Sequence, residues 1–575
     1  MEKKDYYARI LPVIGNTFTD KTVAFFGLDF THQIADCLAR GGIKSFVFVG
    51  NRKVEQGDAI VYTYGVNSIG NGQVWVLANE FEKRNPFNKE SWNIANLSGH
   101  NNINEMAQSF RDIYRLDLIV AGGSWQDCKL AYEISKESGI PAIIFMLHKD
   151  LTVHSTVMVS HPDMPNLDQA FLSIHEECVL NENNFMNRLS FLRVSDLAMN
   201  FVNALLLRDT KYYPPAFEKI FFNQNCNVVL YGKADWPWWV NYVNLSSHLK
   251  YLVDYYSQKV WWGIDCHYSA LQNKKVMVIG CGTASLLLAE LVHYFNHVLM
   301  VDYKPFSSFN AVRQLPNTNE IKIGLVKPFL LQKIFTERLG GDNWQEGNFK
   351  YGSIWATENH SLAAANLLLK DNDKQSVVKF KQLLEWFSPD VVVIAMGRTH
   401  DDNFTACRIL REMNIKHVVP AVYPGAVAHR VVVVNGNQGP CYECHNHRLS
   451  IDATNVATGD LGHDVAEFRE MFYMSPDDPT DPATIAETWP SVHTVLELTL
   501  QLGLPDVLRS IWFSQCLAQE QISFVGGVKV STSLDGEGSY GVKYPGQVVV
   551  YSSDDILQQG NEYTCSCCGR KYFTN

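Results

Sequence analysis

A strand, a tight turn, a helix and a second strand are written twice along this chain, and that repetition limits its fold more than any other feature. Thr22–Gly50 reads as an apolar strand (TVAFFG), a turn, a helix (HQIADCLARGGI) and a strand (SFVFVG). Val276–Asp302 repeats the order as VMVIG, CGTAS, LLLAELVHYF and VLMVD. The parallel extends upstream, where Tyr6-Tyr7-Ala8-Arg9 matches Tyr255-Tyr256-Ser257-Gln258, and downstream. There, DLIVA from Asp117 and DVVVIA from Asp390 each lead into a polar turn, a helix and another apolar strand, AIIFML or HVVPAV. Strands that alternate with helices and read as continuous apolar runs belong to parallel sheets covered on both faces. The chain is therefore expected to be α/β, with two tandem doubly wound nucleotide-binding domains. At 575 residues it is too long for a single ordinary core. The expected division is a first domain over residues 1–222, a linker over 223–252 and a second domain over 253–575. The linker is placed where NQNCN and the Trp-rich ADWPWWVNY break both periodicities.

Charge and hydropathy remove several function classes. A net charge of −11 with no long basic run argues against nucleic acid as a partner. The longest apolar runs, such as Val391–Met396, are strand-sized, well short of the roughly 20 residues of a membrane span. MEKKDYYARI has charge but no apolar core of a secretory signal, and thirteen cysteines is an odd number, with several set singly in apolar runs. A cytoplasmic protein is the expectation.

In Gly280-Cys281-Gly282-Thr283-Ala284-Ser285 the glycines allow a tight turn and close approach to phosphates, whose charge is favoured at the start of the following helix. Ser285 stands where a third small residue is usual. Asp302 ends the next strand, 22 residues after Gly280, where a carboxylate accepts from ribose hydroxyls. These two features alone also fit a dehydrogenase. Further on, Asn310, Arg313 and Gln314 come 8, 11 and 12 residues after Asp302, and Lys327 follows in IGLVKPFLL at a predicted helix start. Near the other end of this half, Cys441-x-x-Cys444 and Cys565-x-x-Cys568 form two knuckles suited to tetrahedral thiolate ligation of zinc. A redox pair is the rival, but neither knuckle opens a helix after a strand. Cys567 is a spare that could replace Cys568, and His445 and His447 read as polar neighbours.

The pattern Asp…Asn-x-x-Arg-Gln…Ile-Gly-x-x-Lys closely resembles the ubiquitin-activating enzyme superfamily, including ThiF- and MoeB-like adenylating enzymes, over nearly the whole chain. The resemblance implies two Rossmann-like, ThiF-like adenylation domains in a pseudodimer, an inactive one followed by an active one that closes with a zinc site. It implies that Arg313 and Lys327 bind the triphosphate of ATP, that Asn310 and Gln314 orient it, and that Gly280, Gly282 and Asp302 hold the nucleotide. Charge building on the phosphate oxygens as a carboxylate attacks the α-phosphorus is what such cations and amides stabilise. The implied cofactors are ATP, Mg2+ and Zn2+. The implied reaction is adenylation of the C-terminal glycine carboxylate of a ubiquitin-like protein, with a ubiquitin-conjugating-enzyme-like protein as a further partner.

The first domain departs from that set. Its turn is Gly27-Leu28-Asp29-Phe30, Gly50 stands at the ribose position, and Ser68–Gln73 offers Gln73 in place of the lysine. Yet it carries Arg9 in YYARILPVIG, which resembles the family's N-terminal arginine that reaches across to the partner's ATP, where the second domain has Gln258. The magnesium aspartate of the family aligns with Gly397. Asp401 or Asp402 could serve instead, and Asp402 equally reads as the cap of the helix FTACRILREM. The crossover segment His445–Pro490 holds no cysteine to receive a thioester. Cys516, in an apolar helix-like segment IWFSQCLAQE, and Cys178 and Cys407 remain, though free cysteines are mostly small buried residues. The alternatives are an enzyme that stops at the acyl-adenylate of a peptide or sulfur carrier, or a noncatalytic scaffold that binds a ubiquitin-like protein.

Overall fold

The computed structural model describes residues 21–27, 45–50, 92–96, 102–122, 125–147, 154–162, 228–232, 270–306, 314–316, 324–339, 343–396, 400–422, 428–437, 441–444, 518–524, 548–552, 560–565, 567–569 and 571–574, with isolated positions in 31–43, 167–206 and 492–504. The first half contributes β1 (Thr22–Phe26), β2 (Ser45–Gly50), β3 (Trp92–Asn96), β4 (Leu118–Gly122), β5 (Ala142–Leu147), β6 (His154–Ser160) and β7 (Val228–Gly232). They form one sheet in the order β3-β2-β1-β4-β5-β6-β7. β3 through β5 are parallel, and β6 and β7 are added antiparallel. Helices α1 (Ile103–Gln108) and α2 (Trp125–Ser138) belong to this half, and a five-residue π turn over Ser109–Ile113 continues α1.

The second half repeats the plan with β8 (Lys275–Ile279), β9 (His297–Asp302), β10 (Gln345–Phe349), β11 (Gly352–Ala356), β12 (Ser361–Asn366), β13 (Val391–Ile394), β14 (Lys416–Val422), β15 (Ala428–Val434), β16 (Ala518–Phe524) and β17 (Val548–Ser552). The sheet order is β10-β11-β12-β9-β8-β13-β14-β15-β16-β17. Its parallel core, β12-β9-β8-β13-β14, has the same order as β3-β2-β1-β4-β5, and again antiparallel strands follow at the same edge, here three, β15, β16 and β17. Helices α3 (Ala284–Leu291), α4 (Lys327–Arg338), α5 (Lys374–Phe387) and α6 (His400–Glu412) connect these strands. A separate hairpin, β18 (Gly560–Thr564) and β19 (Lys571–Thr574), lies towards the end of the chain.

Both sheets carry the same fastening between their first and fourth parallel strands. In the first half the Asp117 carboxylate accepts from the Lys21 ammonium at 3.0 Å and from the Thr22 amide at 2.7 Å, and the Asp117 amide donates back to the Thr22 carbonyl at 2.9 Å. In the second, Asp390 accepts from Lys274 at 3.0 Å and from the Lys275 amide at 2.8 Å, and donates to the Lys275 carbonyl at 2.8 Å. The ion pairs are about a third exposed in the second half and contribute little. The backbone bonds to a charged carboxylate are the stronger part, on the order of 1.5–3 kcal/mol each.

The second core forms because successive strand residues face opposite sides, and both sides are covered. Met277, Ile279, Leu299, Val301, Val392 and Ile394 pack against Phe380, Leu383, Leu384 and Phe387 of α5 and Ala406, Ile409 and Leu410 of α6. Val276, Val278, Val298 and Met300 alternate with them and are equally inaccessible, with α4 packed over β9 and β12. Asp373 caps α5 by accepting from the Gln375 amide at 2.9 Å, and Ser388 ends it with a left-handed φ of 52°. No helix among the described residues is long and apolar enough to cross a membrane.

Three expectations change. The segment expected as a linker, 223–252, contributes β7, which pairs with β6, so the first sheet runs past residue 222. Residues Ala518–Glu520, read as the end of an apolar helix around Cys516, begin β16 instead, because a seven-pair antiparallel ladder with β15 outweighs a short helical pattern. The helix expected from Phe404 begins at His400, which puts Asp402 inside its first turn rather than at its cap.

His417 on β14 is fully buried, with Nδ1 2.9 Å from the Ile415 carbonyl oxygen. Burial pulls its pKa down to about 4. The unfolded chain, with an imidazole near about 6.5, binds the proton more readily than the folded one. Stability is therefore expected to be constant above about pH 6.5 and to fall by on the order of 3 kcal/mol as pH drops towards about 4. Urea unfolding across that window should show the slope, and His417→Leu should flatten it.

Candidate functional site

The two parallel neighbours β8 and β13 belong to crossovers that leave in opposite directions, so the carboxyl ends of these strands open the crevice in which doubly wound sheets hold ligands. Gly280 sits at that point with φ +88°. Its amide donates to the Val301 carbonyl at 2.7 Å, and a Cβ built on it would lie 2.1 Å from the Ala395 carbonyl oxygen. Only glycine lets the turn come this close to β13.

Asp302 braces the same turn from β9. Its Oδ2 accepts from the Cys281 amide at 2.8 Å, and its Oδ1 accepts from the amides of Tyr303 and Lys304 at 2.7 and 3.0 Å. The carboxylate is nearly buried, and its Oδ2 takes one backbone bond, leaving a lone pair for a ribose hydroxyl. Cys281 lies beneath, fully buried, its thiol pushed well up by burial and then by the Asp302 charge. It is a protonated packing residue rather than a nucleophile.

Gln314 and Lys327 close on the other glycine. A Cβ on Gly282 would lie 3.5 Å from Gln314 Nε2 and 3.9 Å from Lys327 Nζ. Lys327 opens α4 as expected. Extended Val326 is its N-cap, Pro328 fits the first turn, and the Lys327 amide donates to the Lys304 carbonyl at 3.0 Å. Its ammonium lies 5.4 Å from the centre of the Phe306 ring, and the residue as a whole is only 9% exposed. An amide and an ammonium above a glycine turn at a helix start are donors of the kind a polyphosphate can accept from.

The equivalent place in the first half is built differently. Gly27 keeps the turn geometry with φ +65°, but Thr31 folds back on it, with its amide and hydroxyl donating to the Gly27 carbonyl at 3.1 and 3.2 Å. β2 ends on Gly50, so no side-chain carboxylate stands where Asp302 does.

The four knuckle cysteines come together. Cys441 Sγ lies 3.5 Å from Cys444 Sγ and 3.5 Å from Cys565 Sγ, Cys444 Sγ lies 3.4 Å from Cys568 Sγ, and all four fall within 4.8 Å of one another. These separations far exceed a disulfide bond of about 2.05 Å. They approach the edge of about 3.8 Å that a zinc tetrahedron with bonds of about 2.3 Å requires. The Cys441 thiol, followed by those of Cys565 and Cys568, pushes the Cys444 thiol far above its ordinary range. A divalent cation would reverse that penalty, so the donor set fits zinc. The second knuckle is preformed at the mouth of the β18–β19 hairpin, where Gly569 with φ +67° donates to the Cys565 carbonyl at 2.9 Å. Tyr442, between the first two ligands, is buried in the sheet core and packs on Phe404 of α6, and Glu443 pairs with Arg408 at 3.3 Å. Cys567 packs against the cluster half-buried.

The structure thus brings Gly280, Gly282, Asp302, Gln314 and Lys327 to one place, and Cys441, Cys444, Cys565 and Cys568 to another. Arg9, Asn310, Arg313, Gly397, Cys178, Cys516 and the crossover segment 445–490 lie outside the described residues. Asp402 accepts from the Asp371 amide at 2.9 Å, so its carboxylate is committed in part to the backbone, and a magnesium ion would have to share it. Cys407 is a core residue, its thiol raised by burial. Sequence reading missed the work of Ser285, whose hydroxyl oxygen accepts from the Leu315 amide at 2.9 Å, because nothing local to Ser285 points to a partner 30 residues on.

No protein-family model matches the chain, and no curated protein matches it. The chain is similar to solved structures of E. coli MccB. A complex with AMPCPP and selenomethionine MccA is 12% identical, with a TM-score of 0.30, over 70% of this chain and 96% of that one. A complex with ATP is 13% identical, with a TM-score of 0.32, over 74% of this chain and 99% of that one. Likeness this loose carries no conclusion about fold or activity.

Two outcomes follow from the geometry. Gly280→Ala combines a left-handed φ with a backbone overlap and should destabilise the second half by at least about 2 kcal/mol, read as a lower urea midpoint. Metal analysis of the purified chain should give about one zinc per chain. Cys441→Ser should lose that zinc and lower the thermal midpoint; a folded protein whose stability ignores the substitution would refute a structural metal.

Proposed function

We propose that the chain uses ATP and magnesium to adenylate the C-terminal glycine carboxylate of a ubiquitin-like protein. The observation that carries this reading is the approach of Gln314 and Lys327 to Gly282, which puts an amide donor and a cation over the glycine turn beside Asp302. A dehydrogenase would use the turn and Asp302 but has no task for that pair, or for Arg313 and Asn310 at the spacing the sequence gives them.

In the proposed reaction a carboxylate oxygen of the tail attacks the α-phosphorus of ATP. The bond from that phosphorus to the bridging oxygen breaks, and pyrophosphate leaves with the electron pair, giving an acyl-adenylate. Negative charge grows on the phosphate oxygens as the bonds exchange. Lys327 and Arg313 stabilise it, Gln314 and Asn310 orient the phosphates, Asp302 holds the ribose, and Arg9 of the first domain completes the site. Lys327 is nearly dry, so its charge acts through little screening solvent. Magnesium would neutralise the phosphates, with Asp402 as the proposed protein carboxylate. Zinc on the four cysteines would fasten the end of the domain and take no part in the chemistry.

The absence of cysteine from 445–490 favours a second version, in which the product is the acyl-adenylate of a peptide or carrier tail and no thioester follows on this chain. Transfer to a ubiquitin-conjugating-enzyme-like partner belongs to the first version alone. Incubation of the chain with ATP and a ubiquitin-like protein, followed by intact mass with and without reductant, separates them. A reductant-sensitive adduct supports thioester transfer, and adenylate alone supports the shorter chemistry. ATP binding without adenylate formation from any tail supports a scaffold.

Lys327→Ala and Arg313→Ala should each lower the rate of partner-dependent ATP–pyrophosphate exchange by about 100-fold, mainly in kcat, because their contacts strengthen as charge develops. Exchange at the wild-type rate in either variant would overturn these roles.

A further inference from the structure

We propose that Ser285 is a positioning residue for the nucleotide phosphates, acting through the Leu315 backbone to hold Gln314 over the glycine turn beside Lys327. The proposal rests on reading that turn as an ATP site, and it concerns how the site is held in shape. Ser285 is the second residue of α3 and completely buried. Its hydroxyl oxygen accepts from the Leu315 amide at 2.9 Å, and its own amide donates to the Gly282 carbonyl at 3.0 Å. One residue therefore ties the segment Gln314–Pro316 to the turn whose Gly282 faces Gln314 Nε2 and Lys327 Nζ. Leu315 is itself 6% exposed, and the bond its amide makes to Ser285 is buried. Losing the hydroxyl would strand a buried donor, at a cost of about 1–3 kcal/mol, unless the segment moved away.

A glycine at this position of a phosphate turn serves close packing of helix on strand. It has no side chain with which to hold a distant segment. Serine is a mediocre helix residue. Its presence here is explained by the bond it makes rather than by helix formation. Gln314 is set by this bond on its following residue, so displacing Leu315 displaces the amide that faces the turn.

The test is a double-mutant cycle read by calorimetry with magnesium and ATP on the full chain. Ser285→Ala should weaken ATP binding about tenfold in the wild-type background and hardly at all in a Gln314→Ala background, because the two act as one unit. Ser285→Thr, which keeps the hydroxyl, should restore most of the affinity. Ser285→Cys, close in size but a weak acceptor, should behave like the alanine variant and replaces it if that protein does not fold. Equal losses in both backgrounds would make Ser285 merely structural and overturn the proposal, as would undiminished binding by both Ser285→Ala and Ser285→Cys while the wild type binds ATP. Absence of ATP binding by the wild-type protein would remove the ATP reading itself, and this proposal with it.

Discussion

The second half of the chain is organised around the contact between Gly280 and the end of β13. A side chain at Gly280 would strike the Ala395 carbonyl, so a backbone without one can press the turn against the neighbouring strand. That closeness lets β9 end within reach of the turn, where Asp302 gathers the amides of Cys281, Tyr303 and Lys304. From Lys304 the chain is fixed again, because its carbonyl receives the Lys327 amide, and Pro305 bridges to Val326. The cation at the start of α4 is thus placed by a short series of backbone contacts that begins at one glycine. Displacing the first member would be felt at Lys327 without any change at Lys327 itself.

The cysteine cluster is joined to this core rather than hung from it. Tyr442 carries the first knuckle into the same buried cluster that contains Ile279, Ile394 and Leu410. A metal bound there would join the β18–β19 hairpin to the knuckle that follows β15, 124 residues earlier in sequence, so that its binding would add to the stability of the fold.

Much of this was legible because central parallel strands are covered on both faces and read as uninterrupted apolar runs. VMVI, VLMVD and VVVI were found with bounds within a residue or two, as was the start of the helix at Lys327. The strands that escaped lie where that reason fails. β10, QEGNF, forms the rim of its sheet with its side chains largely in water, so its sequence carries no apolar period. β16 and β7 are antiparallel additions that pair with β15 and β6, whose partner residues lie 84–96 and 70–78 positions earlier in sequence. Within the site, glycine spacing and the carboxylate at a strand end were visible as local patterns. The Ser285 bond was not, because it joins positions linked only by the fold.

The paired carboxylates Asp117 and Asp390 also bear on how the chain acquires its structure. Each joins the first strand of its half to a strand that follows by 95 or 115 residues, across the segment that supplies the intervening parallel strands. Neither fastening can close until that whole stretch has been made, so these contacts raise the contact order and slow the search. Each half nevertheless finds its own partner strand within its own sequence. During synthesis the first set of parallel strands can assemble once Leu147 has cleared the ribosome, well before β8 exists to compete for the same edges. For two units built to one plan, with near-interchangeable strand orders, that order in time protects against pairing β1 with β13, or β8 with β4.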